Sequence, residues 1–244
     1  MRDSVFNLTA LSERLFVEGR LERLAGKIQR AQELASLHAD LMMALESLDA
    51  LDALVTTPAA PGDFARAITE AALMSNAVVL YARATQTKSN ERKDFDLRSR
   101  FSADENVVHQ ELADLRDKAI AHFGSGGSYL GEWQAELVVL EASVTGDARV
   151  GVATRRITLD KKLVARARVQ IERACMLMRE ISRAKVDAVT DELNELASAD
   201  IDLINKEIHQ HPLNMPVFLT SPDADELARS NRGVAYIKGI VKHA

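Results

Sequence analysis

A single cysteine, Cys175, is all that 244 residues contain. It excludes an internal disulfide and a cysteine-rich zinc site, and it suits a reducing compartment. Prolines number five and glycines eleven. Little therefore interrupts a chain rich in Ala, Leu, Glu and Arg, and helix is favoured over sheet. Long apolar runs are also missing. The longest, Ala71–Ala82, is broken by Ser75 and Asn76 and falls short of the ~20 apolar residues that cross a bilayer. The N-terminus carries Asp3 and Glu13 and no continuous apolar core, unlike a signal peptide. With 47% hydrophobic and 27% charged residues, these absences describe a soluble, cytoplasmic, globular protein with no membrane segment.

Metal-ligand patterns are equally sparse. His209-Gln210-His211-Pro212, with Glu207 nearby, sets two imidazoles two residues apart, but a third ligand of matching spacing is missing. Histidines also gather at helix ends because their charge suits the helix dipole. His38, among apolar neighbours, reads as an ordinary packed or surface histidine. Neither a metal nor a cofactor is expected.

The formal charge of −5 argues mildly against wholesale nucleic-acid binding, yet it averages two opposed blocks. Residues 155–185 hold ten bases against three acids, net +7; residues 187–207 hold seven acids against one lysine, net −6. Such blocks either make a polyanion-binding face beside a repelling one or bridge other helices or a partner subunit.

Apolar periodicity sets the expected architecture: mainly α, with one β-hairpin. Over 8–55, Leu11, Leu15, Leu21, Leu24, Ile28, Leu34, Leu37, Leu41, Leu45, Leu48 and Leu51 recur at steps of three and four, with two steps of six, one long helix or two in succession. Gly19 and Gly26 are both places for a kink or break. Thr56–Gly62 (TTPAAPG) is a breaker, and residues 63–85 form a strongly apolar helix ending in Tyr81-Ala82-Arg83. Residues 86–101 lack a stripe and carry a local +2, with Arg92, Lys93, Arg98 and Arg100 among the bases. Such a loop suits phosphate contacts, and Phe95 and Phe101 would pin it down. Residues 134–144 and 148–157 are β-branched runs joined through Thr145-Gly146-Asp147, a hairpin. Tyr129 and Trp133 would cover its edge, and a ribbon this small must pack on helices. A long helix from 159 carries the basic block, and 187–208 continues it or folds back. The expected layout is an N-terminal helical region (1–57), a bundle with the hairpin at about 134–157 (58–210), and a tail (211–244) that packs on the body or a partner.

The stretch 103–123 stands out. Ser102 and Glu105 form a capping-box start, and Gly124-Ser125-Gly126-Gly127 accepts the left-handed backbone that ends a helix. At ~100° per residue, Val107, Val108, Leu112, Leu115, Ala119 and Phe123 make one stripe, with His122 inside it and Arg116 and His109 on its flank. A histidine and an arginine at the end of a buried helix, beside a glycine loop, is the one arrangement in the chain that looks like chemistry.

Residues 115–122 (LRDKAIAH) resemble the signature of the HEPN superfamily: an arginine, four to six residues, then a histidine. A polar residue often follows the arginine, as Asp117 does here. The signature covers about eight residues, and the helical layout over roughly 60–185 is compatible with the family. The resemblance implies a helical bundle, a homodimer, and in many members a metal-independent endoribonuclease of abortive-infection, toxin–antitoxin or related antiviral defence systems. Arg116 and His122 would then be catalytic. Asp117 would position one of them, and His109, Tyr81 and Arg83 would support. Lys118, Arg92, Lys93, Arg98 and Arg100 would bind RNA, and an antitoxin or other regulatory protein would be a further partner.

The chemistry is consistent with these residue types. RNA supplies its own nucleophile, the 2′-OH, and cleavage needs proton transfer and positive charge at the phosphorus. Histidine serves the first near neutral pH and arginine the second. On a regular helix the two side chains diverge by ~120° and do not share a face; the resemblance implies that signature helices of two protomers flank one cleft and supply composite Arg/His pairs. Two other readings stand beside this one. A non-catalytic member of the same fold would bind RNA or nucleotide, or act as a dimerisation scaffold. A helical adaptor would pair its long helices with another protein and have no affinity for RNA.

Overall fold

The computed structural model describes residues 5–58, 60, 63–86, 95–117, 134–142, 148–156 and 160–218. These are mainly helical. In chain order they give α1 (Leu8–Glu18), α2 (Glu22–Thr56), α3 (Phe64–Gln86), a 3-10 turn (Arg98–Arg100), α4 (Ala103–Asp114), β1 (Gln134–Ala142), β2 (Ala148–Arg156), α5 (Lys161–Ala199), α6 (Ile201–His209) and a single turn, α7 (Met215–Phe218). The chain divides into two compact units: Met1–Ala39 with Leu177–Ala244, and Asp40–Met176.

In the first unit Asn7 caps α1, its side chain accepting from the Ala10 N–H at 3.0 Å. Gly19 ends that helix at φ 63°, a left-handed conformation that spares only glycine a Cβ clash. The Arg20 N–H then reaches back to the Leu15 carbonyl at 3.0 Å. Gly26, by contrast, lies inside α2 and breaks nothing. Of the two glycines flagged in the sequence, only the one at a left-handed φ is a stop. Leu11, Leu15, Leu24, Ala25, Ile28, Ala31 and Val189 form one apolar cluster. The N-terminal segment is tied to the turn after α6: Asn7 N–H donates to His211 O at 2.8 Å and Leu213 N–H to Val5 O at 2.8 Å.

The acidic block is used inside this unit. Glu207, nearly fully buried, takes Arg20 at 2.7 Å and also Arg14. Glu192, also buried, takes Lys27 at 2.6 Å and Arg23 at 2.9 Å. Burial pushes the Glu207 carboxyl up, but the hydrogen bond from Arg20 and the charges of Arg14 and Arg20 outweigh it and hold the group below its usual range. With Glu207 committed to two arginines and His209 Nδ1 2.7 Å from the Asn205 carbonyl, the 207–211 group is built as a helix end.

The second unit holds the rest of α2, with α3, α4, the ribbon and the start of α5. Leu41, Ala44, Leu48 and Leu51 are fully buried at steps of three, four and three, each leucine worth roughly 1.5–3 kcal/mol. α3 packs on α4. Arg168 bridges Asp49 and Asp52 at 2.7 Å each, Arg166 forks onto Glu111, and Arg173 meets Glu105 at 3.1 Å. Three of the ten bases of that block are thus paired with acids of α2 and α4.

β1 and β2 pair antiparallel in register Gln134↔Arg156 to Ala142↔Ala148. The expectation that this ribbon packs on helices is corrected. Val138, Val150 and Val152, neighbours on one face, are 77%, 73% and 70% exposed. On the other face Leu137 and Val139 are exposed too. Tyr129 and Trp133, expected to cover its edge, lie outside the described residues, as do the turn 145–147, the glycine loop 124–127 and the tail beyond 218.

Candidate active-site cleft

α4 begins with the capping box read from the sequence. Ser102 Oγ accepts from the Glu105 N–H at 3.2 Å, and the Glu105 carboxylate accepts from the Ser102 N–H at 2.7 Å. Asn106 then ties the helix to the preceding turn, its amide donating to the Arg98, Phe101 and Ser102 carbonyls. The α-helix runs to Asp114 and Leu115–Asp117 are π-helical, while residues 118–123 of the expected helix lie outside the described residues. A π turn inserts one residue per turn and re-aims the side chains that follow; such turns recur at functional sites. Arg116 and Asp117 stand on it, side by side and about half exposed, joined Nη1 to Oδ1 at 2.5 Å.

A cleft of about 330 Å³ opens beside this turn. Thr85 and Gln86 at the end of α3 form one wall, Phe95, Asp96 and Arg98 a second, and His109, Gln110, Ala113 and Asp117 the third. Behind the lining residues Gln86 and His109 runs a buried polar chain. Gln170 Nε2 donates to the Tyr81 hydroxyl at 3.0 Å, Tyr81 Oη lies 2.7 Å from His109 Nδ1, and His109 Nε2 lies 3.2 Å from Gln86 Nε2. Tyr81, His109 and Gln170 are all at most 2% exposed.

The direction of the chain follows from the donors. An amide nitrogen only donates, so His109 Nε2 accepts from Gln86, and the ring proton sits on Nδ1 and goes to Tyr81 Oη. A second ring proton would face the Gln86 N–H₂ head-on. Burial, followed by the charge of Arg98, lowers the His109 pKa, and Asp96 opposes this. Geometry and solvation both keep the ring neutral. Burial likewise raises the Tyr81 pKa above the usual phenol value. Phe101 and Tyr81 flank the ring, with centroids 5.5 and 5.7 Å from it.

His109, expected as a supporting residue, is therefore a neutral imidazole with both nitrogens occupied. It forms a fixed wall of the cleft. Tyr81 backs His109 through its hydroxyl without lining the cleft, and Arg83 takes no part in it. Its guanidinium turns to Asp40, Nε to Oδ2 at 2.6 Å, on α2. Within the lining Arg98 meets Asp96, Nη2 to Oδ2 at 2.8 Å and Nε to Oδ2 at 3.0 Å, which holds the Asp96 carboxyl below its usual range. Arg100 sits exposed on the same 3-10 turn. His122, Lys118, Arg92 and Lys93 lie outside the described residues.

Five lining residues, Thr85, Gln86, Asp96, Gln110 and Ala113, were not singled out in the sequence, nor was Gln170 behind them. Gln170 carried a signal, being a polar residue between Ala167, Ile171 and Ala174 on the buried stripe of α5. Gln86, Asp96 and Gln110 carried none, because each lies among other polar residues.

No helix among the described residues is long and apolar enough to cross a membrane. No known protein family, curated protein or solved structure matches the chain.

Proposed function

We propose that the protein is a metal-independent endoribonuclease of a bacterial defence or toxin–antitoxin system, acting as a cytoplasmic homodimer on RNA. The observation that carries this reading is Arg116, half exposed on a π turn beside a polar cleft. A guanidinium there stays cationic and can fork onto two phosphate oxygens as negative charge builds at phosphorus. His122, six residues on, handles the protons. The 2′-oxygen attacks phosphorus as its proton is taken, the 5′-oxygen leaves as it is protonated, and the products are a 2′,3′-cyclic phosphate and a 5′-hydroxyl. Asp117 orients Arg116, and the second protomer supplies the complementary half of the pair. Arg98, Arg100 and Lys118, with Arg92 and Lys93, draw in the backbone. An antitoxin or similar protein would regulate it.

The test is cleavage of labelled total RNA by the full-length protein in EDTA, beside Arg116→Ala and His122→Ala. The expected result is cyclic-phosphate ends from wild type and a loss of roughly 10²–10³-fold or more in each variant, the scale of a removed transition-state donor. Intact RNA with wild type, or equal cleavage by His122→Ala, overturns it.

A second reading has its own support. The ion pairs of Arg166, Arg168 and Arg173 with acids of this chain suit a helical scaffold or adaptor as well as a nuclease. RNA affinity that falls steeply with salt favours the nuclease; no RNA affinity at any salt favours the scaffold.

A further inference from the structure

The cleft beside Arg116 has features the cleavage chemistry does not use. Its walls are almost charge-neutral, because Asp96 is matched by Arg98 and Asp117 by Arg116. A site for phosphate alone would be cationic throughout. Here Arg98 is the one cation among the lining residues, and the rest of the lining offers amides, carboxylates, His109 and the Phe95 ring. That is the composition of a pocket for a flat, uncharged heterocycle whose attached phosphate stays outside. Proteins that read single-stranded RNA splay a base out, lay it against an aromatic ring and hydrogen-bond its edge. The cleft's volume of about 330 Å³, at the small end for ligand pockets, suits one base with its sugar.

We propose that this cleft seats a guanine base of the RNA, with the Asp117 carboxylate on its N1–H and N2–H₂ edge and the Gln110 amide beside it. A carboxylate only accepts hydrogen bonds, through two parallel oxygens. Guanine alone of the four bases presents two adjacent donors on its pairing edge. Among the described residues the Asp117 carboxylate takes one hydrogen bond, from Arg116 to Oδ1, which leaves it acceptor capacity toward the cleft. The neutral, doubly bonded His109 keeps the wall rigid and adds no charge. Arg116, bonded to that same carboxylate, then lies where the phosphate of the seated nucleotide emerges. The proposal rests on the nuclease reading for its RNA substrate and extends it to a base preference.

Titration of the full-length protein with GMP, AMP, CMP and UMP by calorimetry tests it. All four carry the same phosphate, so the ranking isolates the base. GMP is expected to bind about tenfold or more tighter than the other three, the discrimination of one good bidentate pair. Asp117→Asn, which swaps one acceptor for a donor, should erase that preference while the circular dichroism spectrum is unchanged. Gln110→Ala should weaken GMP binding. Equal binding of the four nucleotides, no binding of any, or a preference that survives Asp117→Asn overturns the proposal. The two readings fail separately. GMP preference without RNA cleavage removes the nuclease and keeps the pocket; cleavage without GMP preference removes the pocket alone.

Discussion

At the residue scale, Tyr81 joins the buried polar groups that stand behind the cleft. Its hydroxyl is the shared partner of Gln170 and His109, and all three side chains are buried. Tyr81→Phe removes one oxygen and keeps the ring, so packing is conserved while two polar groups lose their partner. A buried donor left unsatisfied costs its desolvation penalty, typically ~1–3 kcal/mol. The variant is therefore expected to be less stable by about that amount in urea unfolding. A loss below ~0.5 kcal/mol, the range of a neutral surface change, would mean that the chain of hydrogen bonds through Tyr81 contributes nothing. The comparison with Arg83 shows why adjacency in sequence misleads. Two residues on along α3, Arg83 faces α2 and Asp40, because a step of two turns a helical side chain by ~200°.

At the element scale, two glycines of one N-terminal region make opposite predictions. Gly19 holds φ 63° at the end of α1, where alanine is strained by roughly 1–2 kcal/mol. Gly26 sits inside α2, and a Cβ there would meet nothing within 4 Å. Alanine at that position gains roughly 0.5–1 kcal/mol of helix propensity. Thermal unfolding of Gly19→Ala and Gly26→Ala should shift in opposite directions; shifts of one sign would contradict the backbone assignment. This pair also marks what the sequence can carry. The α2 and α5 stripes were legible because leucine and alanine recur at helical steps, and the ribbon because Thr145-Gly146-Asp147 separates two β-branched runs. The capping box at Ser102 was legible from two residue types three apart. Which glycine stops a helix was not, since that depends on φ. The π turn at Leu115 was equally hidden, because no residue type dictates it. The exposed ribbon departs from the sequence reading for another reason. Alternating valines state that a strand wants an apolar neighbour, but not that the neighbour is in the same unit. Of the site, Tyr81, His109, Arg116 and Asp117 were named in advance. Their grouping depends on the packing of α3 on α4, which the spacing along either helix does not encode.

At the scale of the whole molecule, the two units share one electrostatic property. Each contains a buried histidine, His38 in the first and His109 in the second. Burial lowers the pKa of both, helped by Arg179 at His38 and by Arg98 at His109, where Asp96 pulls the other way. With folded values below the 6.5 of a free imidazole, the unfolded chain binds more protons than the folded one just below pH 6.5. Stability is then fully present above that pH and is lost as the pH falls beneath it. The depressed carboxyls, Asp96 and Glu207, act in the same direction but only lower, as the pH falls through the carboxylate range. At pH 5.5 the histidines dominate. Unfolding in urea at pH 5.5 should therefore need less denaturant than at pH 7.5. The loss should be at most about 1.4 kcal/mol per histidine for each pH unit below 6.5. Because one ring lies in each unit, two resolved transitions would both move to lower denaturant. Replacing His109 by Gln should remove the pH dependence of one transition and leave the other. A midpoint that stays put or rises at pH 5.5 would show that these rings accept protons as readily folded as unfolded, and that the neutral His109 wall of the cleft does not exist.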